Sequence, residues 1–310
     1  MTSQRISVLI PSFRRPADLQ RCLAAVAAQQ LAADEVLVVV RADDAASLAV
    51  ASELAARWPQ LRVVQVVPPG QVQALNRGLD AASGDIVAIT DDDAVPKPDW
   101  LERIAAWFAR DAHIGGVGGR DWVYHGDRLE VGARQVVGKL EWYGRCIGNH
   151  HLGVGGAREV DFLKGANMSY RRAAIGTLRF DGRLRGSGAQ VHNDLAFSLA
   201  VRRKGWKLIY DPEVAVDHYP AARFDEDARL AVTDVASRNA AFNQALVICE
   251  ALGAARAWVF LLWATAIGTR GAPGLLQLVR LYASEGRSAL VRTRATLAGT
   301  AAGWRAASIC

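Results

Sequence analysis

No low-complexity tract and no fixed-period repeat runs through the 310 residues, which excludes solenoid arrays and composition-driven disorder. The four cysteines, Cys22, Cys146, Cys249 and Cys310, are scattered without metal-ligand spacing. A disulfide framework and a zinc site are thereby excluded, and a reducing compartment suits the pattern. Ahead of the apolar run Ile6 to Ile10 there is no room for a charged segment, a hydrophobic stretch and a cleavage site, so a cytoplasmic protein is expected. The apolar run Ala257 to Gly268 is too short to cross a bilayer, which takes about 20 residues. Acid is scarce in the last segment. From Arg256 onward seven arginines face the single acid Glu285, a net +6 that matches the formal charge of the whole chain, +6. The remainder is near neutral.

Apolar residues make up 51% of the chain, enough for a full core in one large or two ordinary domains. The first third alternates short apolar runs with helical periodicity, the pattern of a parallel sheet covered on both faces. Strands are expected at Ile6 to Ile10, Glu35 to Val40 and Leu61 to Val67, with helices from Pro16, over Ala45 to Trp58 and over Gln71 to Ala82. Gly84 then releases the chain into the strand Asp85 to Thr90, and a helix follows over Asp99 to Arg110. Residues from about 119 to 160, rich in glycine, histidine and aromatics, read as a long functional loop. A helix over Asp194 to Lys204 and strands at Trp206 to Tyr210 and Val214 to His218 come next, and beyond Asp225 the pattern is helical throughout. The expected division is an α/β domain over 1–224, with halves of about 1–118 and 119–224, and a helical region over 225–310.

Asp91-Asp92-Asp93 ends the apolar run Ile86 to Thr90. Three consecutive carboxylates at the end of a buried strand repel one another unless a cation or a set of donors sits there. A divalent metal holding a diphosphate suits them, because hard cations prefer carboxylate and phosphate oxygens. A solvated acidic turn, or a cap for the following helix, is the plainer alternative. In open sheets of this kind ligands collect at the carboxyl ends of the strands, where these aspartates lie.

Four ordered segments resemble the nucleotide-sugar-binding glycosyltransferases of family 2: Ile10-Pro-Ser-Phe-Arg14, Asp91-Asp92-Asp93 with Pro96 to Leu101, Gly165-Ala-Asn-Met-Ser-Tyr-Arg-Arg172, and His192-Asn-Asp194 with Gly205 and Pro212. The resemblance covers roughly residues 5 to 220. It implies the GT-A fold, an inverting transfer from a nucleoside-diphosphate sugar, and a divalent metal, Mn2+ or Mg2+. It also implies that Asp91 and Asp93 hold the metal, that Asp91 and Asp92 contact the donor, and that Asp194 is the catalytic base. His218 resembles a histidine that completes the metal shell in some relatives. Pro11, Phe13, Asn76, Asn167 and Arg171 (or Arg172) match segments around the nucleotide and the cleft. Where relatives carry an aspartate for the base of the nucleotide, this chain has Arg41, so either Asp43 or Asp44 takes over or Arg41 contacts phosphate. Leu75 and Asn193 also depart from the usual arginine and glutamate. On this resemblance residues 1–224 are the catalytic domain, with the nucleotide-sugar half first and the acceptor half second.

Other readings compete. A sugar nucleotidyltransferase would want a glycine-rich basic loop after the first strand, and Pro11-Ser-Phe-Arg-Arg15 holds no glycine. A catalytically silent sugar-nucleotide or membrane scaffold fits the departures at Arg41 and Leu75 but not the retention of Asp194. Asp194 could also serve only as a helix cap. The basic segment after Arg256, with Trp258 and Trp263, is expected at the headgroup level of an anionic membrane, peripheral at the inner face of the cell membrane, rather than on nucleic acid. A helix of an ordinary core is the alternative there. The acceptor is then expected to be lipid-linked or a saccharide.

Overall fold

The computed structural model describes residues 4–224 and 233–308. Its elements are β1 (Ile6–Ser12), α1 (Pro16–Ala27), β2 (Glu35–Arg41), α2 (Ala45–Ala55), β3 (Leu61–Val66), α3 (Gln71–Ala81), β4 (Ile86–Ile89), β5 (Ala94–Pro96), α4 (Trp100–Arg110), β6 (Ile114–His125), β7 (Arg128–Leu129), β8 (Lys139–Leu140), β9 (Cys146–Ile147), β10 (Arg158–Val160), β11 (Met168–Arg171), α5 (Arg172–Ile175), α6 (Asn193–Arg203) and β12 (Lys207–His218). Four helices complete the described chain: α7 (Asp234–Leu252), α8 (Ala254–Ala266), α9 (Leu275–Glu285) and α10 (Arg287–Ala306).

The chain divides into two compact units. Unit one, comprising 1–139, 147–180 and 197–221, contains a sheet in the order β10-β12-β6-β11-β4-β1-β2-β3, with β5 on β12 and β7 on β6. Strands β3, β2, β1 and β4 run parallel, β11 enters antiparallel between β4 and β6, and β12 runs parallel to β6. The expected mixed α/β fold with a mostly parallel sheet flanked by helices is what forms. The apolar runs predicted as strands are buried along nearly their whole length in β1, β2 and β4, because helices cover both sheet faces. On one face Leu19, Cys22, Leu23 and Val26 of α1 pack with Trp100, Leu101, Ile104 and Phe108 of α4 against Val8, Ile10, Val36 and Val38.

The expected loop over 119–160 begins instead inside a strand, since β6 runs unbroken from Ile114 to His125. Its four glycines, Gly115, Gly116, Gly118 and Gly119, lower intrinsic strand propensity and hide it from pattern reading. Close approach explains one of them. A methyl group at Gly119 would lie 1.8 Å from the carbonyl oxygen of Val214 on β12, so only glycine lets the two strands meet there.

Glu35 shows how unit one closes its amino-terminal sheet edge. Its buried carboxylate accepts from Ser7 Oγ at 2.7 Å, Ser83 N at 3.0 Å and Arg62 Nη1 at 2.5 Å. Burial pushes its pKa up, but these donors outweigh burial and hold it below the usual range. The stabilisation is therefore full above the ordinary glutamate value of about 4.3 and fades as the pH falls through the lowered folded value. Glu35→Ala leaves the buried Ser7 hydroxyl without its acceptor and is expected to cost about 1–3 kcal/mol at neutral pH. Urea unfolding at pH 7 and pH 3 checks this. An equal deficit at both values would show that the ionised carboxylate is not the cause.

The second unit comprises 140–146, 181–196 and 222–310. The boundary expected at 225 falls outside the described residues, and residues 181–196, expected in the first domain, belong here. Helices α7 and α10 pack closely: a methyl at Gly299 would lie 2.2 Å from the carbonyl oxygen of Arg238. Ala257 and Phe260 of α8 are buried, while Trp258 is 55% and Leu262 70% exposed. Trp263 is half-buried, with its ring 5.4 Å from that of Tyr143. The two tryptophans therefore do not share one outward face, which corrects the expectation for Trp263. Among the described residues no helix is long and apolar enough to cross a membrane.

Candidate functional site

The three aspartates occupy the turn between β4 and β5, at the carboxyl edge of the sheet. Asp91 is half-buried and accepts from Gln71 Nε2 at 3.2 Å, from the first residue of α3. Asp92 is buried and accepts from Ser12 Oγ at 2.8 Å and Arg15 Nη1 at 2.9 Å. Asp93 is buried too. It meets Arg15 at 3.4 Å, the backbone N–H of Ala221 at 2.9 Å and His218 Nε2 at 3.3 Å. Like charges in sequence are thus kept apart by donors from β1, the start of α1, α3 and the end of β12.

The electrostatics follow from those partners. Burial pushes the Asp92 carboxyl up to about 7, against the pull of Arg15 and Ser12. Burial acts on Asp93 in the same direction, but the His218 ring, the Ala221 N–H and Arg15 outweigh it and hold that carboxyl well below the usual range. His218 in turn is raised to about 9: burial lowers it, and Asp121 and Asp93 overcome the burial. At neutral pH the turn therefore holds Asp93 ionised against a protonated His218, with Asp92 titrating near neutrality. That distribution relieves the repulsion three adjacent carboxylates would otherwise suffer.

Asp121, an isolated acid in β6, is buried beside these groups. It forms an ion pair with Lys164 and lies 3.6 Å from His218 Nδ1. Ser12, Arg15, Gln71, Asp121 and Lys164 escaped the sequence reading. Only Asp121 carried a local signal, an acid next to Arg120 in an otherwise apolar and glycine-rich run, which demands a buried partner.

Other expected site residues turn out to brace the fold. Asn76 gives both ends of its carboxamide to the backbone of Phe180, at 2.9 and 2.8 Å. Asn167 is buried, donates to the Val214 carbonyl at 2.7 Å and accepts from Trp100 Nε1 at 2.9 Å. Arg171 donates through Nε and Nη2 to the carbonyls of Ile114 and Phe108. Asp44, also buried, caps α2 through Ser47 N and accepts from Arg14 N. Main-chain groups take the polar atoms of Asn76, Arg171 and Asp44, and a main-chain carbonyl and the Trp100 indole share those of Asn167. Pro11 is buried within β1, and half-buried Phe13 lies beneath Arg41, whose guanidinium is 3.7 Å from the ring centroid and pairs with Asp43 at 2.5 Å.

Among the described residues no three His, Cys, Asp or Glu side chains converge into a cage for a metal. Magnesium-like cations need none, since one or two carboxylates plus substrate phosphates usually hold them. Asp91 and Asp93, hard oxygen donors on one turn, fit that mode, and the His218 ring facing Asp93 would add a nitrogen compatible with Mn2+ once its proton is released to the solvent on metal binding.

Asp194 belongs to the second unit. It lies in the first turn of α6, one residue past the helix start at Asn193, and accepts from Leu195 N at 2.8 Å. It is therefore inside the helix rather than at its cap. The approach to it is strained: Gln190 and His192 have φ of 44° and 73°, a left-handed region costly for such residues. Asn243 of α7, fully buried, holds this segment by accepting from Arg185 N at 2.7 Å and donating to the carbonyls of Arg185 and Val191, both at 3.0 Å.

A family model described as glycosyltransferase like family 2 matches residues 4–235. The chain is 27% identical over 150 residues to the glucosyl-dolichyl phosphate glucuronosyltransferase of Haloferax volcanii, covering 46% of this chain and 45% of that protein. It is 32% identical over 101 residues to the glycosyltransferase AglE of the same organism, covering 32% and 33%. With the amylovoran biosynthesis glycosyltransferase AmsE of Erwinia amylovora it shares 33% over 103 residues, 31% and 38% of the two chains. The chain thus spans a third to under half of the length of these curated relatives. A solved mannosyltransferase from Pyrobaculum calidifontis, in complex with GDP-Man and Mn2+, superposes with a TM-score of 0.55 at 18% identity, over 98% of this chain and 88% of the other. The fold, expected as GT-A, is the one that this neighbour has.

Proposed function

Because the chain belongs to glycosyltransferase-like family 2, we propose that it is an inverting glycosyltransferase, moving a sugar from a nucleoside-diphosphate sugar to a lipid-linked or polysaccharide acceptor. The observation that carries this reading is the acidic turn after β4, where Asp91 stays half-exposed while Arg15 and His218 fix Asp93. Asp91, Asp93 and His218 would hold a divalent cation, Mn2+ or Mg2+, which when bound neutralises charge on the departing diphosphate. Asp194 accepts the proton of the acceptor hydroxyl as that oxygen attacks the anomeric carbon from the face opposite the diphosphate. The bond to the diphosphate breaks as the new glycosidic bond forms, and its electron pair leaves with the diphosphate. The neighbour bound to GDP-Man and Mn2+ supports a donor and cation of these classes. The relatives named for a dolichyl phosphate glucoside and for amylovoran support the acceptor classes. Incubating the protein and Mn2+ with a panel of nucleotide sugars tests the proposal. Acceptor-dependent release of nucleoside diphosphate from one donor is expected, and no binding or release with any donor would overturn it.

The acceptor reading extends to a membrane surface at the cytoplasmic side. Leu275, Leu276, Val279 and Tyr282 form an exposed apolar stripe on α9, with Val279 73% exposed, and Trp258 and Leu262 project from α8. Arginines accompany them, while Glu285 is already paired with Arg292 at 2.7 Å. Each basic residue near an anionic surface contributes about 1 kcal/mol, and the attraction fades within a Debye length. Flotation with anionic vesicles is expected to recover the protein and to fall steeply with salt. Val279→Ser with Leu262→Ser should weaken what salt does not remove, since apolar insertion is not screened. Equal recovery with neutral vesicles would return these helices to being an ordinary subdomain.

A further inference from the structure

Strand β12 carries His218 between two neighbours, β5 on one side, with His218 opposite Ala94, and β6 on the other, with His218 opposite Val123. The pairing with β6 is irregular: Asp211 lies opposite Gly119, but the next paired residue, Val216, lies opposite Asp121. The extra residues on β12 form a bulge, a device that re-aims side chains next to active sites. Here it brings His218 beside Asp121, two residues along β6 from the glycine that the bulge's Val214 carbonyl presses against. Asp121 is 2% exposed. A carboxylate so buried costs stability unless paired, and an apolar residue of similar volume is often the more stable choice. Lys164 pairs it and His218 Nδ1 faces it at 3.6 Å, an ion-pair distance just beyond a hydrogen bond, while the opposite ring nitrogen, Nε2, faces Asp93 at 3.3 Å.

We propose that Asp121 is a positioning residue: anchored by Lys164, it fixes the His218 ring so that Nε2 is presented at the Asp93 edge of the site. The proposal rests on the reading that Asp91, Asp93 and His218 hold a divalent cation. A carboxylate behind a ligating histidine orients the ring and raises its basicity, and loss of such a partner typically weakens metal affinity about 10–100-fold. Asp121 acts wholly through His218, which distinguishes it from a residue that merely keeps the strands together.

The test is Mn2+ binding in the presence of GDP, and of UDP in parallel, followed by the paramagnetic resonance signal of free Mn2+ without turnover. The full-length wild type is compared with Asp121→Asn, His218→Gln and the double variant. Asp121→Asn is expected to weaken binding about 10–100-fold, and in the His218→Gln background to add less than about twofold, because coupled residues do not add. Lys164→Gln, at a partly exposed position, serves if Asp121→Asn fails to fold, with a smaller loss that also vanishes in the His218→Gln background. Wild-type affinity in Asp121→Asn, or a full further loss on top of His218→Gln, overturns the positioning role alone. Failure of the wild type to bind Mn2+ with either nucleotide overturns the metal reading and this role together.

Discussion

Replacing Asp93 with alanine is expected to abolish sugar transfer and to weaken binding of the nucleotide sugar when Mn2+ is present. Two effects coincide at this carboxylate. It is one of the two oxygen donors proposed for the cation, whose charge neutralisation contributes several kcal/mol to a transition state. It is also the shared partner of Arg15 and His218, so its loss removes one counter-charge from each and leaves Arg15 against Asp92 and His218 against Asp121. Turnover should fall by about three powers of ten or more. Calorimetric titration of donor with and without Mn2+, alongside thermal unfolding, separates lost binding from lost fold. Excess chelator on the wild type should reproduce the defect. Full activity of the variant, or of the wild type in chelator, would remove the cation from the mechanism.

Asp194→Asn is expected to behave differently. The amide keeps the shape and still accepts from Leu195 N, but it cannot take a proton, so turnover should drop by about 10²–10⁴ while donor affinity changes little. Single-turnover rates with saturating donor, set beside donor binding measured separately, give the comparison. A variant that melts early yet retains turnover per folded molecule would make Asp194 a structural residue of the first turn of α6 and send the search for the base elsewhere.

Much of the sheet was legible because burial on both faces writes itself into β1, β2 and β4 as continuous apolar runs. Strand β6 was not, since Gly119, placed for close approach to β12, and the glycines before it look like loop residues. The acidic turn was legible for a similar physical reason: adjacent carboxylates at a strand end are costly anywhere else. What surrounds it was hidden. Arg15 sits beside the aspartates through the β1–β4 pairing, and Asp121 meets His218 through a bulge; both depend on register between distant segments. Asn76, Asn167 and Arg171 show the converse limit. Their polar atoms are taken up by backbone carbonyls and N–H groups and, at Asn167, by the Trp100 indole, partners that the sequence segments alone do not display.

The hold that Asn243 has on residues 185–191 bears on how the protein can be shortened. A chain cut at 224, where the change to helical pattern suggests trimming, would keep Asp194 yet discard the one side chain that accepts from Arg185 N and donates to the carbonyls of Arg185 and Val191. Freed from that clamp, Gln190 and His192 would relax out of their left-handed geometry, and the turn leading to Asp194 would be open to proteases. Through Asn243, α7 acts as an internal splint for this segment, and a shortened protein that is to keep the Asp194 turn in place is expected to need α7.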